Sequence, residues 1–231
     1  MKTIRRIPAL LLAMLMLCSA MLTSCGKKQE IAPADQVAVA LFDLILKDDA
    51  KGAVELFGYA DEAEARKDMG LEEGIYDDLA DQMVTMFASQ GVTATAEDAQ
   101  KFVDAFLTMF KNVKLTAKVK EADEKAGTAV VTCTINTFDS GAVTNAMNSI
   151  VEELYNDPDV LNGGDMDAVY STMLNKMSEA IANLTPTENT KDFDVDFVLE
   201  EHTINGKKTK VWLPKDANAF GAAISTNAMG G

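Results

Sequence analysis

Residues 113–120 read Val-Lys-Leu-Thr-Ala-Lys-Val-Lys, and residues 129–136 read Ala-Val-Val-Thr-Cys-Thr-Ile-Asn. In the first stretch Val113, Leu115, Ala117 and Val119 alternate with Lys114, Thr116, Lys118 and Lys120. Successive side chains of a strand point to opposite faces, so this period of two describes a half-buried strand with a basic outer face. Ala129, Val131, Cys133 and Ile135 alternate in the same way with Val130, Thr132, Thr134 and Asn136. The polar run Glu121–Gly127 joins the two, and the pair reads as an antiparallel hairpin.

A second hairpin closes the chain. Phe193, Val195, Phe197 and Leu199 alternate with Asp192, Asp194, Asp196 and Val198. Asn205-Gly206 supplies the two positive-φ residues that a two-residue turn requires. That turn places Leu199 opposite Trp212 and Glu201 opposite Lys210, an apolar pair and an ion pair on one face.

Around these hairpins the apolar spacing is helical. Val37, Leu41, Leu44 and Ile45 mark a helix over 34–47, and Val54, Leu56 and Phe57 a second. A weaker helical segment covers 60–69. Ile75, Leu79, Met83, Met86 and Phe87 mark the next, ended by Gly91. Phe102, Val103, Phe106, Leu107 and Phe110 mark another, with Thr95 and Asp98 spaced as a capping box. Two more lie between the hairpins, striped by Val143, Met147, Ile150, Val151 and Leu154, then by Val169, Met173, Met177, Ile181 and Leu184. A closing helix runs through Ala219, Phe220, Ala223 and Ile224. Segregated runs of helices and paired strands imply an α+β fold: a curved antiparallel sheet of about four strands packed against several helices.

The N-terminus has a different character. Lys2, Arg5 and Arg6 precede an almost wholly apolar run, Ile7–Leu22. Sixteen helical residues reach roughly 24 Å, short of a hydrocarbon core of roughly 30 Å, so the run reads as a secretory signal. Leu22, Thr23, Ser24 and Cys25 then resemble the lipobox of bacterial lipoproteins. That resemblance implies cleavage between Ser24 and Cys25 and a diacylglyceryl group, with palmitate-type acyl chains, on the Cys25 sulfur. Two acyl chains anchor a protein stably where one does not. The expected organisation is a signal peptide over 1–24, a lipidated tether over 25–34 and a single domain over 35–231. Its address is the extracytoplasmic face of the cell membrane.

Residues 1–24 hold three basic and no acidic side chains, so their removal takes the net charge from −15 to −18. Nucleic acid is a poor partner for such a chain, because phosphates demand a basic footprint. Cys18 leaves with the signal and Cys25 takes lipid, so Cys133 stands alone and an intrachain disulfide is excluded. The hydrophobic core must carry the stability.

Three features together resemble small lipoproteins of Gram-positive, Firmicutes-type bacteria that carry uncharacterised cystatin-like or nuclear-transport-factor-2-like domains. They are the helix opened by Ala32-Pro33-Ala34-Asp35 behind a lipobox cysteine, the Lys/Val/Thr-rich hairpin Val113–Thr137, and the strand Lys210-Val211-Trp212-Leu213-Pro214 before a final helix. The resemblance implies a curved sheet with helices in its concavity, which in some relatives encloses a pocket and in some supports catalysis. Long helices between the two hairpins depart from that pattern.

No catalytic set, cofactor motif or metal site is read. His202, the sole histidine, sits near a hairpin end, and no spacing pairs Tyr59, Tyr76, Tyr155 or Tyr170 with an acid. Asp157, Asp159, Asn162, Asp165 and Asp167 lack calcium-loop spacing: an EF-hand opening at Asp157 would need its bidentate glutamate where Ala168 stands. They read as a loop in which Asp165 caps the following helix. The stripes of Lys114, Lys118 and Lys120 and of Asp192, Asp194 and Asp196 read, where the two strands neighbour each other, as solvated cross-strand pairs. Methionines such as Met83, Met86, Met173 and Met177 read as core filling, and Cys133 as an inert buried hydrophobe. Phe193, Val195, Phe197, Leu199 and Trp212 share one sheet face and are the candidate pocket lining. The expectation is a membrane-anchored, non-enzymatic binding or interaction module whose partner is a small apolar ligand, a peptide or an envelope protein. A small-molecule isomerase, dehydratase or hydrolase on a cone-shaped fold is the alternative.

Overall fold

A computed structural model describes residues 31–71, 75–89, 91–156 and 165–230. The chain opens with α1 (Ala34–Lys47), α2 (Lys51–Phe57), α3 (Glu62–Asp68), α4 (Ile75–Ser89) and α5 (Ala96–Lys111). A hairpin of β1 (Leu115–Asp123) and β2 (Thr128–Asn136) follows. Then come α6 (Ser140–Tyr155), α7 (Met166–Ala182), β3 (Thr190–Ile204), β4 (Lys207–Pro214) and α8 (Ala217–Ala228). The four strands form one antiparallel sheet in the order β1-β2-β3-β4. The fold is therefore α+β, an open four-stranded sheet packed against helices.

Local chemistry fixes the element ends. Thr95 and Asp98 close a reciprocal capping box at the start of α5. Asp165 caps α7 by accepting from Asp167 N–H, and Asp216 caps α8 by accepting from Ala219 N–H. Asn205 and Gly206 both hold positive φ, 51° and 69°, and set the β3–β4 register with Leu199 opposite Trp212. Glu201 does face Lys210, but its carboxylate pairs instead with Lys208, 2.7 Å away, because the long lysine reaches diagonally. A bulge between Val119 and Glu121 shifts the β1–β2 register, and β1 runs on to Asp123. Bulges and lysines on an edge strand discourage a further strand from adding.

One sheet face carries Val131, Cys133 and Ile135 of β2, flanked by Phe197 of β3 and Trp212 of β4. All five are 3% exposed or less. α1 lies against β1, β2 and β4, and α8 against β2, β3 and β4, so these two helices cover the apolar face. α2 closes tightly on α1: a Cβ on Gly52 would stand 3.1 Å from Ala40 Cβ. Ile31 and Ala32 already pack against this core, ahead of α1. The opposite face is polar, and there Thr132 and Thr134 donate to Asp194 and Asp192.

A second helical tier stands outside the first. α5 packs on α1 and on α7, α4 on α5, and α6 on α7. β2 and β3 are neighbours in the sheet, yet residues 137–189 and both helices intervene between them. The two passages of chain are stitched at the neck. Thr187 N–H donates to Thr137 O at 2.7 Å, and Thr137 N–H donates to Asn189 O at 2.9 Å. The helix pair α6–α7 is thus an arm inserted into a plain antiparallel meander.

Candidate functional site

Between α1 and α8 lies an apolar cavity of about 60 Å³. Its position follows from helical spacing. Leu41, Leu44 and Ile45 share a face of α1, and Ala217, Phe220, Gly221 and Ile224 share a face of α8. Leu41, Leu44, Phe220 and Ile224 are buried and make the floor. Ile45, Leu46, Met69 and Gly221 are half-buried and form the rim, where Ser225 is exposed. Beside it the Lys47 ammonium lies 5.1 Å from the centre of the Phe42 ring, held there by Asp43 at 2.8 Å.

The five residues expected to line a pocket do share one face of the sheet. Val195, Phe197 and Trp212 are buried, and Phe193 and Leu199 half-buried. None of the five borders the α1–α8 cavity; they stand one layer behind it. Phe197 meets Phe220 edge to face, with ring centres 6.3 Å apart, and so supports the cavity floor from the sheet side. Val195 and Phe197 also reach shallow surface depressions rimmed by Asp194, Asp196 and Lys215.

The polar residues singled out from sequence are dispersed. His202 is half-buried opposite Thr209, with Nε2 3.5 Å from Glu200. Tyr155 is exposed and Tyr170 half-buried. The Tyr76 side chain, Asp157, Asp159 and Asn162 lie outside the described residues. Tyr59 meets an acid that no spacing along an element announces: its hydroxyl donates to Asp68 Oδ2 at 2.6 Å. Burial, then the Asp68 carboxylate, raise its pKa, so the phenol stays protonated. The pair fastens α3 back onto the end of α2, a structural role. Burial pushes the Cys133 thiol up to about 12, with Asp194 adding to it, which suits an unreactive core residue. Across the outer sheet face Lys120 reaches Asp194 at 2.6 Å. β1 and β3 are not adjacent; β2 lies between them, and Thr132 donates to the same carboxylate.

One polar cluster had no counterpart in the sequence reading beyond its cap. Asp98 is 4% exposed and accepts at both oxygens. Thr95 N–H and Oγ1 donate to Oδ2, while Ser171 Oγ and Asn175 Nδ2 of α7 donate to Oδ1 at 3.0 Å each. Burial alone would raise its pKa, but the donors outweigh burial and hold the carboxyl below its usual value. Four neutral donors satisfy the charge, and two of them come from the inserted arm.

Among the described residues no group of three or more His, Cys, Asp or Glu side chains is placed to hold a metal ion. No helix of that set is long and apolar enough to cross a membrane. No family model matches the chain, and no curated protein sequence matches it. The fold has a counterpart in the crystal structure, at 2.62 Å resolution, of a proposed lipoprotein, YcdA, from Bacillus subtilis subsp. subtilis str. 168. The TM-score is 0.56 at 17% identity, over 85% of this chain and 56% of that one. This chain therefore corresponds to little more than half the length of that neighbour, with which it shares the α+β fold.

Proposed function

We propose that the protein is a lipoprotein held to the outer face of the cell membrane through Cys25, where its folded domain acts as a binding module. One observation carries the reading: the quartet Leu22–Cys25 closes a basic and apolar leader, and Ile31, a few residues later, packs against the core. At about 3.5 Å per extended residue, that spacing holds the domain within roughly 20 Å of the lipid. The fold it shares with a proposed lipoprotein supports the same address. A cystatin-like core is supported by α1 lying across a four-stranded antiparallel meander, with the α6–α7 arm as the departure from it.

Growth of cells with a clickable fatty acid tests the anchor. The expected result is label on the chain, lost together with membrane association in the Cys25→Ser variant. Unlabelled chain that is released to the medium in both forms refutes it.

A protein partner is the second reading, favoured by apolar side chains at the tip of the arm. Val151, Tyr155 and Met166 are 51%, 72% and 49% exposed. Crosslinking on whole cells from cysteines placed at these positions, compared with cysteines on the outer sheet face, distinguishes it: the partner should be captured from the arm alone.

A further inference from the structure

The binding-module reading leaves the ligand unnamed, and the α1–α8 cavity narrows it. Apolar walls offer water few hydrogen-bond partners, so a hydrocarbon entering the cavity gives up few polar contacts. Among the described residues its walls are hydrocarbon apart from the Ser225 hydroxyl at the rim, and no charged side chain borders it. Among the described residues only Ser225, at the rim, could meet a polar group, so inside the cavity size and apolarity do the selecting. An engineered apolar cavity of roughly 150 Å³ takes a benzene ring. This one has about 60 Å³, less than half of that, room for a few carbon atoms. The half-buried rim of Ile45, Leu46 and Met69 extends the apolar path toward solvent.

We infer that the seam between α1 and α8 binds the tip of an unbranched hydrocarbon chain, with the headgroup left outside in water. Two features of the lining explain why the seam is left unfilled. Gly221 contributes no side chain on the α8 wall, and Phe220, pinned against Phe197, cannot swing in to fill the space. A bilayer lipid and a free amphiphile offer the same chemistry.

The test uses the whole chain from residue 25 onward with Cys25→Ser, which removes only the acyl acceptor. The probes are n-hexyl glucoside and cyclohexyl glucoside, which share a headgroup and differ in the shape of the tail. Methyl resonances of Ile45 and Ile224 report occupancy. The expected result is a saturable shift with the n-hexyl probe, at least tenfold tighter than with the cyclohexyl one. Gly221→Leu and Ala217→Leu, each placing a side chain in the slot, should weaken it at least tenfold, with Trp212 fluorescence confirming that each variant is folded. Phosphatidylcholine vesicles that reproduce the shift assign the natural chain to a bilayer lipid; vesicles without effect assign it to a free amphiphile. A shift that never saturates, equal binding of ring and chain, or binding untouched in both folded variants overturns the inference. Failure of Cys25 acylation in cells would sink the lipoprotein reading and leave these results standing.

Discussion

The sheet with α1 and α8 and the tier of α4 to α7 are built on different principles. In the sheet half, Phe42, Phe57, Phe197, Ile135 and Val131 are at most 1% exposed, and backbone ladders join all four strands. The end of α5 joins the sheet-half core through Ala105, Met109 and Phe110, but in the rest of the outer tier the buried apolar set among the described residues is thin: Ala80, Ala99 and Val103 in one small cluster, with Leu174 and Ile181 on α7 and Ile150 on α6. Met83, Met173 and Met177 are only half-buried. What orients that tier is the Asp98 cluster, a polar device where the sheet half uses hydrocarbon. Regions with few buried apolar contacts open at lower free energy than the global value. The comparison therefore assigns global stability to the sheet half, and to the outer tier an early, local opening.

The largest effect should come from the sheet half. Phe197→Ala removes a fully buried ring between Val131's neighbours and Phe220, and large-to-small changes of this kind cost about 3–5 kcal/mol. Met173→Ala, in the outer tier, should cost about 1 kcal/mol, since much of that side chain already meets water. Denaturant midpoints of the two variants measure the contrast. Equal losses would show that the outer tier is as tightly packed as the sheet half, and would break the comparison.

Asp98→Ala comes next. It takes the acceptor from the Ser171 hydroxyl and from one N–H of the Asn175 amide, whose Nδ2 still donates to Ser171 O. A buried donor left unsatisfied costs about 1–3 kcal/mol. The loss should appear as faster amide exchange in α6 and α7, with β2 and β3 protected as before. The pH dependence has a definite sign. Because the folded carboxyl titrates below its unfolded value, its contribution is complete above the ordinary carboxylate pKa of about 4. It drains away as pH falls through that value toward the lower folded one. Arm exchange, corrected for intrinsic rate, should be flat between about pH 5 and 8 and rise only in acid. In Asp98→Asn the acid rise should vanish.

These two regions were also unequally legible in the sequence. Residues 34–47 declared α1 through one apolar stripe, and Asn205-Gly206 fixed the β3–β4 register because a two-residue turn admits a single pairing. Both signals are local. The pairing of β2 with β3 was not, since residues 137–189 separate them and the neck at Thr137 and Thr187 has no sequence signature. Asp98 announced its cap through Thr95, three residues away, but Ser171 and Asn175 lie more than seventy residues on. The apolar face of Phe193, Val195, Phe197, Leu199 and Trp212 was visible from its period of two. Which helices would cover it, and where they would leave a gap, depends on α1 and α8 meeting side by side. Tyr59 and Asp68 were missed for the same reason: they meet because α3 folds back, and no helical or strand spacing joins residues nine apart.

The smallest effect belongs to the outer face of the sheet. Lys120 and Asp194 form a close ion pair, 2.6 Å apart, and the pairing raises the lysine pKa and lowers that of the aspartate. Both side chains are about half exposed, at 54% and 44%, so water and salt screen the attraction and the long lysine loses rotamer freedom in making it. Lys120→Ala should therefore leave the denaturant midpoint unchanged within error, at low salt and at high. Thr132 still donates to Asp194 in that variant, so the carboxylate keeps a partner. A midpoint that falls clearly, and falls less at high salt, would mean that the outer face carries stability of its own. The sheet half would then draw on both its faces, and its contrast with the outer tier would no longer rest on the hydrocarbon under α1 and α8.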